Sequence, residues 1–198
     1  TFLAKEEILS YEEMAKVVAS LLPLGLAKVR ITGGEPLLRR DLHVLIGLLR
    51  DLDPDLDIAM TTNGVLLKRN AEMLLKSGLN RVTVSLDAVE EDLFQTITDS
   101  NNTPKQIFEG IDLAQEIGLP VKVNCVVKKG VNESQIVPMT KACMERRVPV
   151  RFIEFMDVGT TNDWNLDAVI SGKEMREILR NHLGPLEPRK AEHPSDVA

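Results

Sequence analysis

The feature that most constrains the fold of this 198-residue chain is the segment Lys28–Leu38, KVRITGGEPLL. Its first five residues alternate between apolar and polar side chains, which is typical of a half-buried β-strand. Two glycines follow, where the chain can turn and where its backbone can approach a ligand closely because neither residue has a Cβ. The segment therefore predicts a strand with Glu35 at its C-terminal tip, which is the end of the strand where parallel α/β folds bind ligands.

Strand-like and helix-like segments alternate along the rest of the chain. The predicted strands are Lys28–Thr32, Asp57–Thr62, Arg81–Asp87, Val121–Val127 and Pro149–Phe155. The predicted helices are Tyr11–Leu22, Asp41–Leu52, Leu66–Ser77, Glu90–Ile97, Pro104–Ile117, Ser134–Arg146 and Lys173–His182. This alternation predicts right-handed crossovers and a parallel sheet, either open or curled into a barrel. Ser10 with Glu13 predicts a capping box at the first helix, and Asp41 predicts a side-chain cap at the second.

Successive side chains of a strand point to opposite faces of the sheet, and we call this alternation parity. In every predicted strand, parity places polar groups on one face, here called the polar face. The residues assigned to it are Arg30, Thr32, Thr61, Asn63, Thr83, Ser85, Asp87, Lys122, Asn124, Glu154 and Met156, with Glu35 at the first strand tip. In the fifth strand, Arg151 and Ile153 are assigned to the opposite face. A sheet covered by helices on both faces has nearly continuous hydrophobic strands, so a polar face indicates a barrel whose interior holds a ligand.

The polar face has two interpretations. Arg30 and Lys122 suit a phosphorylated ligand, because both form charge-assisted hydrogen bonds with phosphate oxygens. The alternative is a structural network in which these cations pair with Glu154 or Asp87. Likewise, hydroxyls at strand ends most often form hydrogen bonds with nearby backbone groups. Methionines such as Met156 more often fill space in a hydrophobic core than contact a ligand. The coincidence of polar residues on one face of all five strands favours the ligand site.

Composition and charge argue against several classes of protein. A hydrophobic content of 43% and a charged content of 27% are typical of globular domains. The net charge of −6 and the lack of a basic stripe argue against general nucleic-acid binding. The sequence has no apolar run of the roughly 20 residues that span a bilayer and no recognisable signal peptide, which predicts a cytoplasmic location. Cys125 and Cys143 fit a reducing compartment, and no cysteine or histidine spacing indicates a metal site.

The segment Thr32–Pro36 resembles the GGEP motif of the radical S-adenosylmethionine (SAM) enzymes, which binds the methionine amino end of SAM. Four further motifs follow it in order: TTNG at Thr61–Gly64, RVTVSLDA at Arg81–Ala88, KVNCVVKKGVNE at Lys122–Glu133 and RFIEFMDVG at Arg151–Gly159. Together with the longer run RITGGEPLLRRDL, they resemble the GTP 3′,8-cyclase family, which acts first in molybdenum cofactor biosynthesis. The resemblance covers essentially the whole chain.

This resemblance implies an α/β fold, an incomplete parallel (β/α)6 TIM-like barrel of the radical SAM type with five strands in this chain. It implies SAM and [4Fe–4S] clusters as cofactors and GTP as the substrate. In the family, reductive cleavage of SAM gives a 5′-deoxyadenosyl radical that abstracts hydrogen from the ribose C3′, and the sugar radical closes onto guanine C8. A homodimer is implied as well, with cyclic pyranopterin monophosphate synthase as the next pathway enzyme.

The resemblance also assigns ligands to individual residues. Those assigned to SAM are Gly33, Gly34, Glu35, Ser85 and Met156. Those assigned to GTP are Arg30, Thr61 and Lys122, in which the two cations balance triphosphate charge. No catalytic residue and no metal ligand is assigned within the chain.

The chain departs from the family where the cluster ligands are expected. The family motif C-x3-C-x2-C is not in the sequence, and residues 2–5 resemble the segment just after it. The resulting domain prediction is a partial-barrel core at 1–184, lacking the first strand and the cluster loop, and a connector at 185–198 toward a second cluster region. These 198 residues are expected to hold no cluster and to perform no turnover.

Two other functions remain open at this point. One is a different radical SAM enzyme, which the GGEP motif alone does not distinguish. The other is a cluster-free module that binds a nucleotide or a partner protein. A phosphate-binding aldolase or isomerase barrel is a weaker third option, because nothing in the sequence favours Lys122 as a Schiff-base lysine over a phosphate ligand.

Overall fold

The computed structural model describes residues 8–156 and 168–188. Its strands are β1 (Lys28–Ile31), β2 (Asp57–Thr62), β3 (Arg81–Ser85), β4 (Val121–Val127) and β5 (Val150–Glu154). Its α-helices are α1 (Tyr11–Leu21), α2 (Leu42–Leu52), α3 (Leu67–Lys76), α4 (Glu91–Thr98), α5 (Pro104–Glu116), α6 (Ile136–Glu145) and α7 (Gly172–Leu183). Short 3-10 turns at Leu22–Leu24, Pro36–Leu38 and Glu133–Gln135 join some of them.

The five strands form one parallel sheet in the order β1-β2-β3-β4-β5. At least one α-helix lies between each strand and the next. Right-handed crossovers in a sheet of sequential order bring all of these helices to the same face, whereas the order of a doubly wound sheet reverses. The prediction of an α/β, partial TIM-like barrel with five strands is therefore confirmed.

The hydrophobic core lies between the sheet and the helices, on what is called the helix-covered face. Ile58, Met60, Val82, Val84 and Val123 point into it and are fully buried. Their helical counterparts include Ile46, Leu67, Ile107, Ile111 and Ile136. Burying this many branched and long apolar side chains supplies the main favourable term in folding, so this face stabilises the domain.

The two predicted helix caps have different outcomes. Ser10 accepts a hydrogen bond from the Glu13 N–H, and Glu13 accepts one from the Ser10 N–H, so the capping box is confirmed. The prediction for Asp41 is wrong, since its side chain makes no capping hydrogen bond. Its backbone is left-handed, with φ 56°, whereas a capping side chain normally requires an extended backbone.

None of the helices within residues 8–156 and 168–188 is long and apolar enough to cross a membrane. Helix α7 ends at Leu183, next to the predicted domain boundary at residue 184. Most of the predicted connector lies outside the described residues, and the boundary remains a prediction.

Candidate ligand-binding face

The residues assigned to GTP meet on the polar face of the sheet. The strand register places Thr61, Thr83 and Lys122 side by side in one row across β2, β3 and β4. Arg30 reaches this row from β1, because its Nη1 atom donates to Thr61 Oγ1 at 2.9 Å and to Thr83 Oγ1 at 3.3 Å. The sheet thus brings two cations and two hydroxyls together, and Arg30 itself is solvent-exposed.

A second row lies one step closer to the C-terminal edge of the sheet. It consists of Ser85, Asn124 and Arg151, which are register partners across β3, β4 and β5. Ser85 and Arg151 are exposed and Asn124 is partly buried. Because both rows lie on the same face, the Ser85 hydroxyl assigned to SAM neighbours the Thr61–Lys122 row assigned to GTP.

The register of β5 corrects the predicted faces of that strand. Glu154 pairs with Val127, which is fully buried on the helix-covered face, and its Oε1 accepts a 2.6 Å hydrogen bond from the Gly172 N–H at the start of α7. Assigning Glu154 to the polar face was therefore wrong, and so was assigning Arg151 and Ile153 to the opposite one. Met156 lies two residues beyond the end of β5 and is 68% exposed, so the register does not assign it to a face.

The turn after β1 is held by the side chain of Glu35. Its Oε1 accepts hydrogen bonds from the Leu37 N–H at 3.0 Å and the Thr62 hydroxyl at 2.7 Å, and its Oε2 accepts one from the Asn63 N–H at 2.7 Å. A carboxylate offers about four acceptor positions, and these donors use three of them. Glu35 therefore joins the tips of β1 and β2.

The two glycines of the same turn face open space. Gly33 has φ 149°, a backbone conformation that side chains disfavour. Gly34 has no such constraint, and a Cβ built on either residue would meet no atom of the described chain within 4 Å. Neither conformation nor packing in the described structure explains a glycine at position 34, whereas close approach of a ligand to the backbone would explain it.

Asp87 lies just beyond the end of β3 and connects it to the end of β4 and the loop that follows. Its Oδ1 accepts a hydrogen bond from the Val126 N–H at 2.8 Å, while its backbone carbonyl accepts one from Asn132 Nδ2 at 2.8 Å. Burial raises the pKa of the Asp87 carboxyl, and the hydrogen bond from Val126 partly opposes that rise. Asn132 is 2% exposed and also binds the Val126 carbonyl and the Lys128 N–H, so it fixes the loop after β4.

The two cysteines are buried thiols on the wrong side of the sheet for the polar face. Cys125 pairs with Phe152 on the helix-covered face, and Cys143 is buried in α6. Burial raises the pKa of both thiols, that of Cys143 to about 11, which disfavours the thiolate that binds metal. In the described part of the chain no group of three or more His, Cys, Asp or Glu side chains could hold a metal ion.

The sequence did not identify two residues of the candidate site: Arg151, on the polar face, and Thr62, at the tip of β2. Arg151 was assigned to the wrong face because β5 lacks clean alternation, and Thr62 was not singled out because its parity points toward the core. For Arg151 the missing signal is the register with β4, which no single strand reveals. For Thr62 a weak signal exists in the sequence, since a hydroxyl on a buried strand face needs a hydrogen-bond partner.

This geometry defines a class: a parallel partial barrel whose polar face carries cations and hydroxyls, with an open glycine turn after β1. The family model of the radical SAM superfamily matches residues 2–143. The chain belongs to the radical SAM superfamily.

Curated relatives and solved structures give further similarities. GTP 3′,8-cyclases of Staphylococcus aureus strains JH9 and N315 are each 47% identical over 190 residues, covering 95% of this chain. The match covers 56% of those relatives, so the chain spans about half their length. Streptococcus suis SuiB superposes with a TM-score of 0.68 at 21% identity, covering 91% of this chain and 42% of SuiB. The protein anSMEcpe with bound AdoMet and Kp18Cys peptide also superposes with a TM-score of 0.68. Its identity is 19%, and the match covers 91% of this chain and 53% of anSMEcpe.

Superfamily membership implies SAM and a [4Fe–4S] cluster as cofactors, and the residues of this chain fit them unequally. The open glycine turn and the polar rows fit a ligand such as SAM, with an amine, a carboxylate and ribose hydroxyls. The cluster requires a set of cysteine thiolates. Cys125 and Cys143 do not fit that requirement, because they are two in number, buried and on the helix-covered side.

Proposed function

We propose that this chain forms the SAM- and GTP-binding core of a GTP 3′,8-cyclase. The reaction converts GTP to (8S)-3′,8-cyclo-7,8-dihydroguanosine 5′-triphosphate for molybdenum cofactor biosynthesis. The observation that carries the proposal is the 47% identity to the GTP 3′,8-cyclases of Staphylococcus aureus over 95% of this chain. The cationic rows of the polar face support it independently, because a triphosphate requires several positive charges at close range.

The division of the polar face between two ligands comes from the family resemblance, and the geometry of the rows supports it. Arg30 and Lys122 bind triphosphate oxygens, and Thr61 holds the Arg30 guanidinium in place through the 2.9 Å hydrogen bond. Arg151, brought into the adjacent row by the register, adds a third cation. Because the hydroxyls beside Arg30 are neutral, its positive charge remains available to a phosphate.

The SAM site is proposed at the strand tips. Gly33 and Gly34 allow the methionine amino end to approach the backbone, and Glu35 fixes the turn that carries them. Ser85 and Met156 complete the site, with Met156 near the adenine. These roles rest on the family resemblance and on the exposure of Gly33, Gly34, Ser85 and Met156.

This chain's own part in the proposed reaction is to bind and orient the two ligands. GTP and SAM are held side by side, because the row assigned to GTP and the row that contains Ser85 lie on neighbouring levels of one face. The cluster chemistry requires thiolates that Cys125 and Cys143 do not supply. A homodimer, a cytoplasmic location and a following cyclic pyranopterin monophosphate synthase belong to the same proposal.

The proposal is tested by replacing Lys122. Removing one charge-assisted hydrogen bond costs about 1.5–3 kcal/mol, so Lys122→Ala should weaken GTP binding by roughly 10-fold to 100-fold. SAM binding should change less than twofold. Both affinities are measured by equilibrium dialysis with radiolabelled ligands.

Lys141→Ala is the matched control, because Lys141 is an exposed lysine on α6, away from the polar face. It should leave both affinities unchanged. An equal loss of GTP and SAM binding in Lys122→Ala would contradict the assigned role. Binding of GTP no tighter than that of guanosine in the unmodified chain would contradict the triphosphate site as a whole.

A further inference from the structure

Thr62 is a buried hydroxyl at the tip of β2 that bonds to two functional segments at once. Its side chain lies on the helix-covered face, and the residue is 2% exposed. The hydroxyl donates to Glu35 Oε1 at 2.7 Å and accepts from the Gly64 N–H at 3.1 Å. One oxygen atom therefore links the turn after β1 with the turn after β2.

Glu35 adds two more hydrogen bonds to the same link. Its carboxylate accepts from the Leu37 N–H within its own turn and from the Asn63 N–H across the gap between the strands. We call this set of four residues, Glu35, Leu37, Thr62 and Asn63, the clasp. Glu35, the first residue of the clasp, immediately follows Gly33 and Gly34, at which an added Cβ would meet open space.

The burial of Thr62 separates its role from direct ligand contact. At 2% exposure its hydroxyl is satisfied inside the protein and is not available to a ligand on the polar face. A valine of nearly the same shape would fill the same space, so packing alone does not require the hydroxyl. What the hydroxyl adds is a charge-assisted hydrogen bond that holds the Glu35 carboxylate in one orientation.

We propose that Thr62 is a positioning residue that, through Glu35, holds the Gly33–Gly34 turn in its SAM-binding conformation. This inference rests on the proposed SAM site and deepens it. Without the Thr62 hydroxyl, Glu35 Oε1 loses its shortest hydrogen bond and sits beside an apolar methyl group. The turn would then sample other conformations, and SAM would select a smaller fraction of the molecules.

The test compares Thr62→Val with Thr62→Ser and with the control Thr140→Val. Thr140 is a half-buried threonine whose hydroxyl donates to the Ile136 carbonyl within α6 and takes no part in the clasp. Two quantities are measured on the 198-residue chain: SAM and GTP affinities, and amide hydrogen exchange of Leu37, Asn63 and Gly64. The clasp predicts about tenfold weaker SAM binding and about tenfold faster exchange in Thr62→Val.

GTP affinity should stay within twofold in Thr62→Val, and Thr62→Ser should restore both SAM binding and slow exchange. Thr140→Val should match the unmodified chain. Unchanged exchange in Thr62→Val would overturn the clasp, and faster exchange with unchanged SAM affinity would overturn its positioning role. If the unmodified chain binds no SAM, the proposed SAM site fails, and the exchange rates alone decide whether the clasp holds the turn.

A double-mutant cycle with Glu35→Gln covers the case in which Thr62→Val folds poorly. If Thr62 acts through Glu35, the two substitutions share one effect, and the double variant should exchange no more than about twofold faster than the more affected single variant. Multiplying effects would mean that the two residues act independently. That result would overturn the proposal.

Discussion

The two faces of the sheet are built from the same strands but do different work. On the helix-covered face, Met60 neighbours Ile31 and Val82 in the register, and all three are buried. On the polar face, Thr61 neighbours Thr83 and receives a hydrogen bond from Arg30. Adjacent residues of one strand thus belong either to the hydrophobic core or to the proposed binding site, because successive side chains point to opposite faces.

The polar face is buried at its centre and exposed at its margins. Ala59 and Thr83, at its centre, are 0% and 6% exposed, whereas Arg30 and Ser85 at its margins are exposed. The centre is therefore a preformed floor, and the charged groups surround it. Thr83 in this floor accepts a hydrogen bond from Arg30 at 3.3 Å, and fixing the guanidinium in this way would reduce the entropic cost of binding a ligand.

The largest expected difference between the faces is in stability, tested by neighbouring substitutions in β2. Met60→Ala removes a fully buried side chain and should lower the free energy of unfolding by about 2–5 kcal/mol. Thr61→Ala removes a partly buried hydroxyl and should lower it by no more than about 1 kcal/mol. Urea denaturation followed by circular dichroism measures both.

Ligand binding should show the reverse order. Thr61→Ala should weaken GTP binding, because Arg30 loses the acceptor that orients it, whereas folded Met60→Ala should bind GTP within about twofold of the unmodified chain. A large loss of stability in Thr61→Ala, with GTP affinity intact, would show that the polar face is structural.

A smaller effect separates the faces within β5. Arg151→Ala should weaken GTP binding roughly tenfold, since it removes a cation from the row that contains Ser85 and Asn124. Glu154 lies on the opposite face, where its carboxylate accepts a hydrogen bond from the Gly172 N–H. Glu154→Ala should therefore leave GTP binding unchanged. Titration calorimetry with GTP distinguishes them, and equal effects would contradict the register-based assignment.

The smallest effect concerns the pH dependence of stability at Asp87. Burial raises the pKa of this carboxyl above its ordinary value of 3.8, so the folded state holds the proton more tightly than the unfolded state. The stabilisation from this proton is fully present below pH 3.8 and is lost as the pH rises through the folded-state pKa. Between pH 3.8 and the folded-state pKa, the stability of the unmodified chain should therefore fall relative to that of Asp87→Asn. Above the folded-state pKa, the difference in stability between the two proteins should stay constant.

Urea denaturation of both proteins between pH 3 and pH 8 measures this difference. Asp87→Asn is a suitable reference, because its side-chain oxygen can still accept from the Val126 N–H. A difference that grows in favour of the unmodified chain with rising pH would contradict the dominance of burial.

Most of the fold follows from local sequence signals. Alternation and glycine stops predict the strands and helices to within about two residues, because helix ends at Gly25, Gly78 and Gly118 need the left-handed backbone that glycine allows. The capping box at Ser10 is likewise local. The Asp41 cap was wrong because its backbone is left-handed, with φ 56°, and the residue type alone does not reveal that conformation.

The candidate site was only partly predictable, for a physical reason. Arg30, Thr61 and Lys122 lie on one face as expected, because β1 and β4 alternate clearly and the register of β2 matches them. In β5 the run Val150–Glu154 has apolar residues on both sides, so its phase is decided by hydrogen bonds to β4. The Thr62–Glu35 bond depends on two strand tips meeting in space, which the sequence does not record.

The most direct test of the polar face as the binding site is a nuclear magnetic resonance titration with GTP, using methyl-labelled threonine and isoleucine. The account predicts the largest shift changes at the methyl groups of Thr61 and Thr83, which lie beside Arg30. Ile111, buried in α5, and Thr140, in α6, should not shift. Shift changes concentrated on the helices, with Thr61 and Thr83 unmoved, would contradict the central claim.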